Sequence, residues 1–143
     1  MRAIALALVV SFAVVACGGA QQPVDIDGHL RMENEITALW TQIRDWRREA
    51  HMNLEPMPGD VFQMRNRSVP QAKSVCTATH EVPPKCGDVC ELAGDICDNA
   101  EAICKIADDL GKQDEYAQDK CASAKASCRE AQQRCCNCSS GTP

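Results

Sequence analysis

The chain has 143 residues and a formal net charge of −5, and it holds 11 cysteines against two Trp, two Phe and one Tyr. That length suits one domain and excludes a TIM barrel or a two-domain oxidoreductase. Cysteine excess over aromatics is the signature of a disulfide-stapled exported protein, not of a reduced cytosolic enzyme. A net acidic chain without a Lys/Arg block also excludes a nucleic-acid binder and argues against docking on anionic lipid.

Residues 1–16 read as an export signal. Arg2 carries the single positive charge, and Ala3 to Val15 form an apolar run of thirteen residues. Such a run is short for a membrane span and right for a signal-peptide core. It closes on Val14-Val15-Ala16-Cys17-Gly18-Gly19. A small residue directly before a cysteine at this place resembles the lipobox of bacterial lipoproteins, although Val14 and Val15 stand where that family usually has Leu and then Ala or Ser. The resemblance implies acylation of Cys17 and cleavage before it, leaving 14 basic and 20 acidic residues once Arg2 is lost. Several acyl chains at about 0.8 kcal/mol per buried CH2 would make membrane attachment effectively permanent. Gly18 stands where an inner-membrane retention signal would place Asp, so the resemblance implies the outer membrane. Ordinary cleavage after Ala16 or Ala20, giving a secreted protein, is the competing expectation.

Residues 17–29 are expected to be a lipid-anchored tether, since Gly, Gln, Pro and Asp there show no apolar period. Residues 30–143 are expected to form a single small cysteine-rich helical domain. Its first helix is predicted over about 30–52, where Ile36, Leu39, Trp40, Ile43, Trp46 and Ala50 recur at spacings of three and four. Six prolines and glycines between positions 56 and 84 then predict a long connector, with one helical turn near Val61 to Arg67.

From Cys86 onward the pattern is regular. Cys90, Cys97 and Cys104 are seven apart, as are Cys121, Cys128 and Cys135. Seven residues are two helical turns, so each triplet lies along one helical stripe. Ala93, Ala100 and Ala107 keep the same period on the first segment, and Ala117, Ala124 and Ala131 keep it on the second. Asp88 and Glu91 are spaced as a capping box, Gly111 suits a helix end and Asp114 suits an N-cap. The fold class is therefore all-α: an antiparallel hairpin of about 89–110 and 115–136, beside the N-terminal amphipathic helix.

Facing residues in such a hairpin share a constant index sum. Cys90 with Cys135, Cys97 with Cys128 and Cys104 with Cys121 each sum to 225, which centres the turn between Lys112 and Gln113. Gly111 and Asp114 place the turn there without reference to any cysteine. Cys86 falls nearest to Cys138, leaving Cys76 with Cys136; exchanging those partners fits almost as well. By the same sums Glu91 is level with Arg134, Asp95 with Arg129 and Glu101 with Lys125. Such exposed pairs would help orientation, although the sum fixes height and not the face a side chain occupies. The scaffold resembles a larger plant alpha-hairpinin, in which two antiparallel helices are cross-linked by two disulfides. That family uses C-x3-C pairs, and the spacing here is C-x6-C-x6-C, so the resemblance implies no activity.

Catalytic and metal motifs are sparse. Cysteines seven apart on a helix are separated by about 10 Å, too far to share an ion. Cys135, Cys136 and Cys138 with His80, or Met52, Met57 and Met64 with His51, are loose soft-metal sets, and no metal ligand is assigned to either. No G-x-S-x-G, H-E-x-x-H or phosphate loop occurs. The sequence thus predicts a non-catalytic envelope lipoprotein with no cofactor. It would hold the membrane through Cys17 and meet a protein partner through its stapled body. A secreted helical-hairpin effector or inhibitor, and a soft-metal-binding envelope protein, are the alternatives.

Overall fold

A computed structural model describes residues 25–77 and 81–138. Cys17, His80, the expected signal peptide and most of the expected tether lie outside the described residues. Within them are α1 (Ile26–Glu49), α2 (Pro58–Met64), α3 (Val69–Lys73), a 3-10 turn (Pro84–Cys86), α4 (Gly87–Leu110) and α5 (Glu115–Asn137). No strand occurs among the described residues.

The hairpin of α4 and α5 is the frame. Its turn is built as the residue chemistry dictates: Gly111 takes φ 94°, a left-handed value that a side chain resists, and its N–H returns to the Ala107 carbonyl. The Asp114 carboxylate then accepts from the Ala117 N–H at 2.9 Å and starts α5. Three disulfides run up the facing stripes: Cys104–Cys121, Cys97–Cys128 and Cys90–Cys135, with Cα atoms 4.6, 4.6 and 4.7 Å apart. Cys86–Cys138 closes the open end, and Cys76–Cys136 ties in the connector. Of the two arrangements left open for the four outer cysteines, this is the one in which Cys86 takes Cys138.

The central helix is α5. It packs against α4, α1, α2 and α3, and its buried residues (Ala117, Cys121, Ala122, Ala124, Ala126, Ser127, Cys128, Ala131 and Cys135 among them) surround most of its axis. Small side chains let four neighbours approach one helix. Bulk comes from elsewhere: α1 contributes Ile36, Trp40 and Ile43, and the connector contributes Met52 and Met64.

Helix α1 differs from its expected bounds at both ends. It starts at Ile26 and not near residue 30, because the Asp25 carboxylate accepts from the Gly28 N–H at 3.0 Å and caps it. Gly28 has no Cβ to meet that carboxylate. The expected tether therefore gives up residues 26–29, His29 included, to the helix. At the other end α1 stops at Glu49 rather than 52. His51 adopts φ 53°, its N–H bonds the Arg48 carbonyl and the Met52 N–H bonds the Arg47 carbonyl. That is a Schellman closure with histidine in the place glycine usually takes, and Met52 buries itself against the helix as the motif requires.

Three other sequence expectations are corrected. The connector holds two short helices and a 3-10 turn where one helical turn was expected. Helix α3 has a full capping box in Ser68 and Gln71. Asp88 and Glu91 do not cap α4, because the 3-10 turn at Pro84–Cys86 runs straight into it, and the N-cap is Cys86 with no side-chain bond. The level charges do not pair. Arg134 donates to the Ala50 and His51 carbonyls at 3.0 and 3.1 Å, where a cation offsets the negative end of α1. Glu101 takes Lys73 at 3.0 Å instead of Lys125. An index sum sets height along a hairpin and not the face a side chain occupies.

Among the described residues one charge is fully buried. Arg47, with no exposed surface, continues the stripe Ile36, Trp40, Ile43 by one more step of four. Its Nε donates to the Asn53 carbonyl at 2.7 Å and its Nη2 to Glu130 Oε2 at 2.8 Å, locking the end of α1 to α5. Removing the carboxylate leaves a buried guanidinium without its counter-ion. Glu130→Ala should therefore cost about 2–3 kcal/mol in denaturant unfolding of the oxidised protein. A loss under about 0.5 kcal/mol, the range of ordinary surface changes, would contradict the role given to this pair.

The ladder also sets the overall stability. The rungs are nested, with sequence separations of 17, 31 and 45. Each rung outside the first therefore closes only fourteen further residues. Loops of that size are worth about 3 kcal/mol each, and small domains have only about 5–15 kcal/mol in all. Full reduction at neutral pH should abolish most of the helical circular dichroism and the cooperative thermal transition. Unchanged helicity and midpoint after reduction would show that the apolar core suffices alone.

Candidate functional site

Two features of the surface are organised beyond what folding requires. The first is a trough along α5, bordered by α4 and the segment leading to α3 in one part and by α2 in the other. Its larger part, about 520 Å3, is lined by Arg67, Val69, Glu101, Lys105 and Lys125, with Arg65 at its edge. A second part of about 360 Å3 lies beyond Arg65 and is lined by Pro56, Pro58, Val61, Phe62 and Ser123. Arg65 borders both and is itself held by Asp119, at 2.8 Å.

The trough has a fixed floor. Lys125 is buried on α5, and its ammonium donates to the Arg65 and Arg67 carbonyls at 3.2 and 2.7 Å. Those carbonyls follow the end of α2, where backbone acceptors have no helical partner. Burial pushes the Lys125 ammonium down from its usual range, opposed by the charge of Asp108. A lysine with a lowered pKa can serve as a nucleophile, but two of the three Nζ hydrogens here hold backbone, so the side chain works as a clamp. On the other wall Lys73 bonds Glu101 at 3.0 Å and Asp98 at 3.2 Å; these carboxylates, Glu101 first, hold its ammonium above the usual range.

Beside the trough the surface is apolar. Phe62 is 76% exposed and Met57 61% exposed, on and immediately before α2. Folding gains nothing from a phenyl ring in water, and aromatic and methionine side chains are the ones enriched in protein interfaces.

The second feature is a cluster at the hairpin turn. His29 Nε2 lies 3.2 Å from Asp114 Oδ2 and 3.5 Å from Glu33 Oε1. One ligand atom from each of the three residues lies within 4.8 Å of the others. His29 and Glu33 are one turn apart on α1 and Asp114 is the N-cap of α5, so only the packing of α1 on α5 brings them together. Beside them Thr37 Oγ1 and the Tyr116 hydroxyl are 2.7 Å apart, and Lys120 lies over the Trp40 ring at 4.9 Å.

The sites weighed from sequence take definite places. Cys76, Cys86, Cys90, Cys97, Cys104, Cys121, Cys128, Cys135, Cys136 and Cys138 are all in disulfides, so none offers a thiolate to a metal or a substrate. The methionine set is divided: Met52 and Met64 are buried in the core while Met57 faces solvent. The His29 cluster and the trough were not found from sequence. No local spacing links positions 29 and 114, although H-x-x-x-E at 29–33 does place two ligand types on one helical face.

No family model, curated protein or solved structure matches the sequence. No helix among the described residues is long and apolar enough to cross a membrane. Five disulfides are the chemistry of an oxidising compartment, outside the cell or in its envelope.

The clamp at the trough floor is open to test. Lys125→Met keeps the apolar stem but strands the Arg65 and Arg67 carbonyls, which should cost about 1–3 kcal/mol. Amide exchange over residues 64–69 should accelerate while that of α4 stays unchanged. Unaltered exchange in that segment would contradict the clamp.

Proposed function

We propose that the protein is a non-catalytic lipoprotein of the cell envelope, attached through acyl chains on Cys17, whose stapled helical body binds another protein. The observation that carries the binding role is the pairing of a rigid frame with an apolar surface. Phe62 and Met57 stand in solvent beside a trough whose floor is fixed by Lys125 and whose frame is fixed by disulfides. A surface that loses no conformational freedom on binding pays little ordering entropy.

The anchoring role rests on the lipobox-like Val14-Val15-Ala16-Cys17 and on the short distance to the folded body. Eight residues separate Cys17 from Ile26, and covalent geometry limits them to a reach of about 26–29 Å. The body would therefore stay close to the membrane. With its cysteines paired, the module would serve as a protease-resistant platform.

Metabolic labelling with a palmitate analogue in a bacterial host should mark the wild-type protein and leave Cys17→Ser unmarked. A photo-crosslinking residue in place of Phe62 should yield one discrete adduct in envelope preparations, with none from a control site at the exposed Lys85. An unlabelled wild-type protein recovered from the medium would replace this reading with that of a secreted helical-hairpin effector. Absence of any Phe62-specific adduct would remove the binding surface.

A further inference from the structure

The cluster at the hairpin turn has the chemistry and the spacing of a metal site. In a tetrahedral zinc centre the ligands stand about 2.0–2.2 Å from the ion, which puts neighbouring ligand atoms about 3.3 Å apart. The separations from His29 Nε2 to Asp114 Oδ2 and Glu33 Oε1 are 3.2 and 3.5 Å. The geometry points to a Zn2+ site formed by His29, Glu33 and Asp114, with water completing the coordination, that fastens the start of α1 to the turn of the hairpin.

Of the three ligands, Asp114 is held by a contact other than the ion. Asp114 has 7% of its side chain exposed, and its Oδ1 is occupied by the Ala117 N–H, so Oδ2 is the oxygen left towards His29. His29 and Glu33 share a face of α1 by their spacing of four. The register of α1 against α5 is set next to the cluster by the Thr37–Tyr116 hydroxyl pair. A preformed frame of this kind spares an ion the cost of organising its ligands.

The donor set selects among ions. One imidazole with two carboxylates suits zinc and related transition ions, whereas Mg2+ and Ca2+ favour oxygen alone. Two carboxylates and a neutral imidazole carry a charge of −2, which a divalent cation cancels.

The position gives the ion a structural consequence. Residues 26–49 contain no cysteine, so α1 is joined to the hairpin without any disulfide. The rung nearest the turn is Cys104–Cys121, and the opposite end of the hairpin holds Cys86–Cys138 and Cys76–Cys136. A zinc ion at the cluster would secure the end of the body that disulfides leave open, and it would do so whether or not Cys17 carries lipid.

The test is calorimetric titration of ZnCl2 into the oxidised, EDTA-treated protein. Three variants accompany it: His29→Ala, Glu33→Gln, and Asp114→Asn, which keeps the N-cap because asparagine caps as well as aspartate. Circular dichroism checks that each remains folded. The wild type should bind one equivalent of Zn2+, with excess Mg2+ failing to compete. Affinity should fall at least tenfold in each variant, and zinc should slow amide exchange over residues 26–34 in the wild type alone. No binding, or binding unchanged in His29→Ala and in Asp114→Asn, would overturn the site; in the first case the cluster is an ion pair only. Neither result bears on lipid at Cys17 or on crosslinking at Phe62.

Discussion

Three disulfides hold α4 and α5 with facing Cα atoms 4.6–4.7 Å apart, and that closeness dictates what else the hairpin can contain. No large side chain fits between helices at such a distance. The positions beside the rungs are accordingly alanine: Ala93, Ala100 and Ala107 on one helix, Ala117, Ala124 and Ala131 on the other, all buried. A seam of alanine and cysteine buries little apolar area per residue. The covalent bonds therefore both demand the thin seam and supply the stability that it lacks.

The remaining elements follow from that trade. Since α5 is slim on nearly every side, it can be surrounded, and α1, α2 and α3 all lie against it. Helix α1 brings the bulk of Ile36, Trp40 and Ile43, and adds the buried Arg47 that reaches Glu130. The connector is drawn in by Met52 and Met64, by the Lys125 clamp and by the Cys76–Cys136 bond. What faces outward after this packing, Phe62 and Met57 beside the trough, is what the fold does not need for itself.

The sequence made the hairpin legible because its information is periodic and local. The heptad cysteines define a stripe, Gly111 and Asp114 define a turn, and the index sum then links the stripes. Where several elements meet, periodicity stops being enough. The stripe Ile36, Trp40, Ile43 runs on to Arg47, yet the charge of Arg47 hides that it is core until Glu130 and the Asn53 carbonyl are seen beside it. Helix α5 has the small, polar composition of an exposed helix and is the most enclosed of all, because enclosure here selects for size and not for hydrophobicity. Level charges such as Glu101 and Lys125 shared a height but not a face. Ser68-x-x-Gln71 did carry a readable signal for α3, masked by the surrounding prolines. The His29, Glu33 and Asp114 cluster joins positions eighty-five residues apart across two helices, so only tertiary packing could reveal it.

The fold depends on the register of the ladder, and one measurement reads it directly: proteolytic disulfide mapping by mass spectrometry of the unreduced protein isolated from an oxidising compartment. The register predicts linked peptides joining Cys97 to Cys128, with Cys104 joined to Cys121 and Cys90 to Cys135. A peptide linking Cys97 to any other cysteine would contradict the antiparallel frame, and with it the alanine seam, the central place of α5 and the meeting of α1 with the hairpin turn.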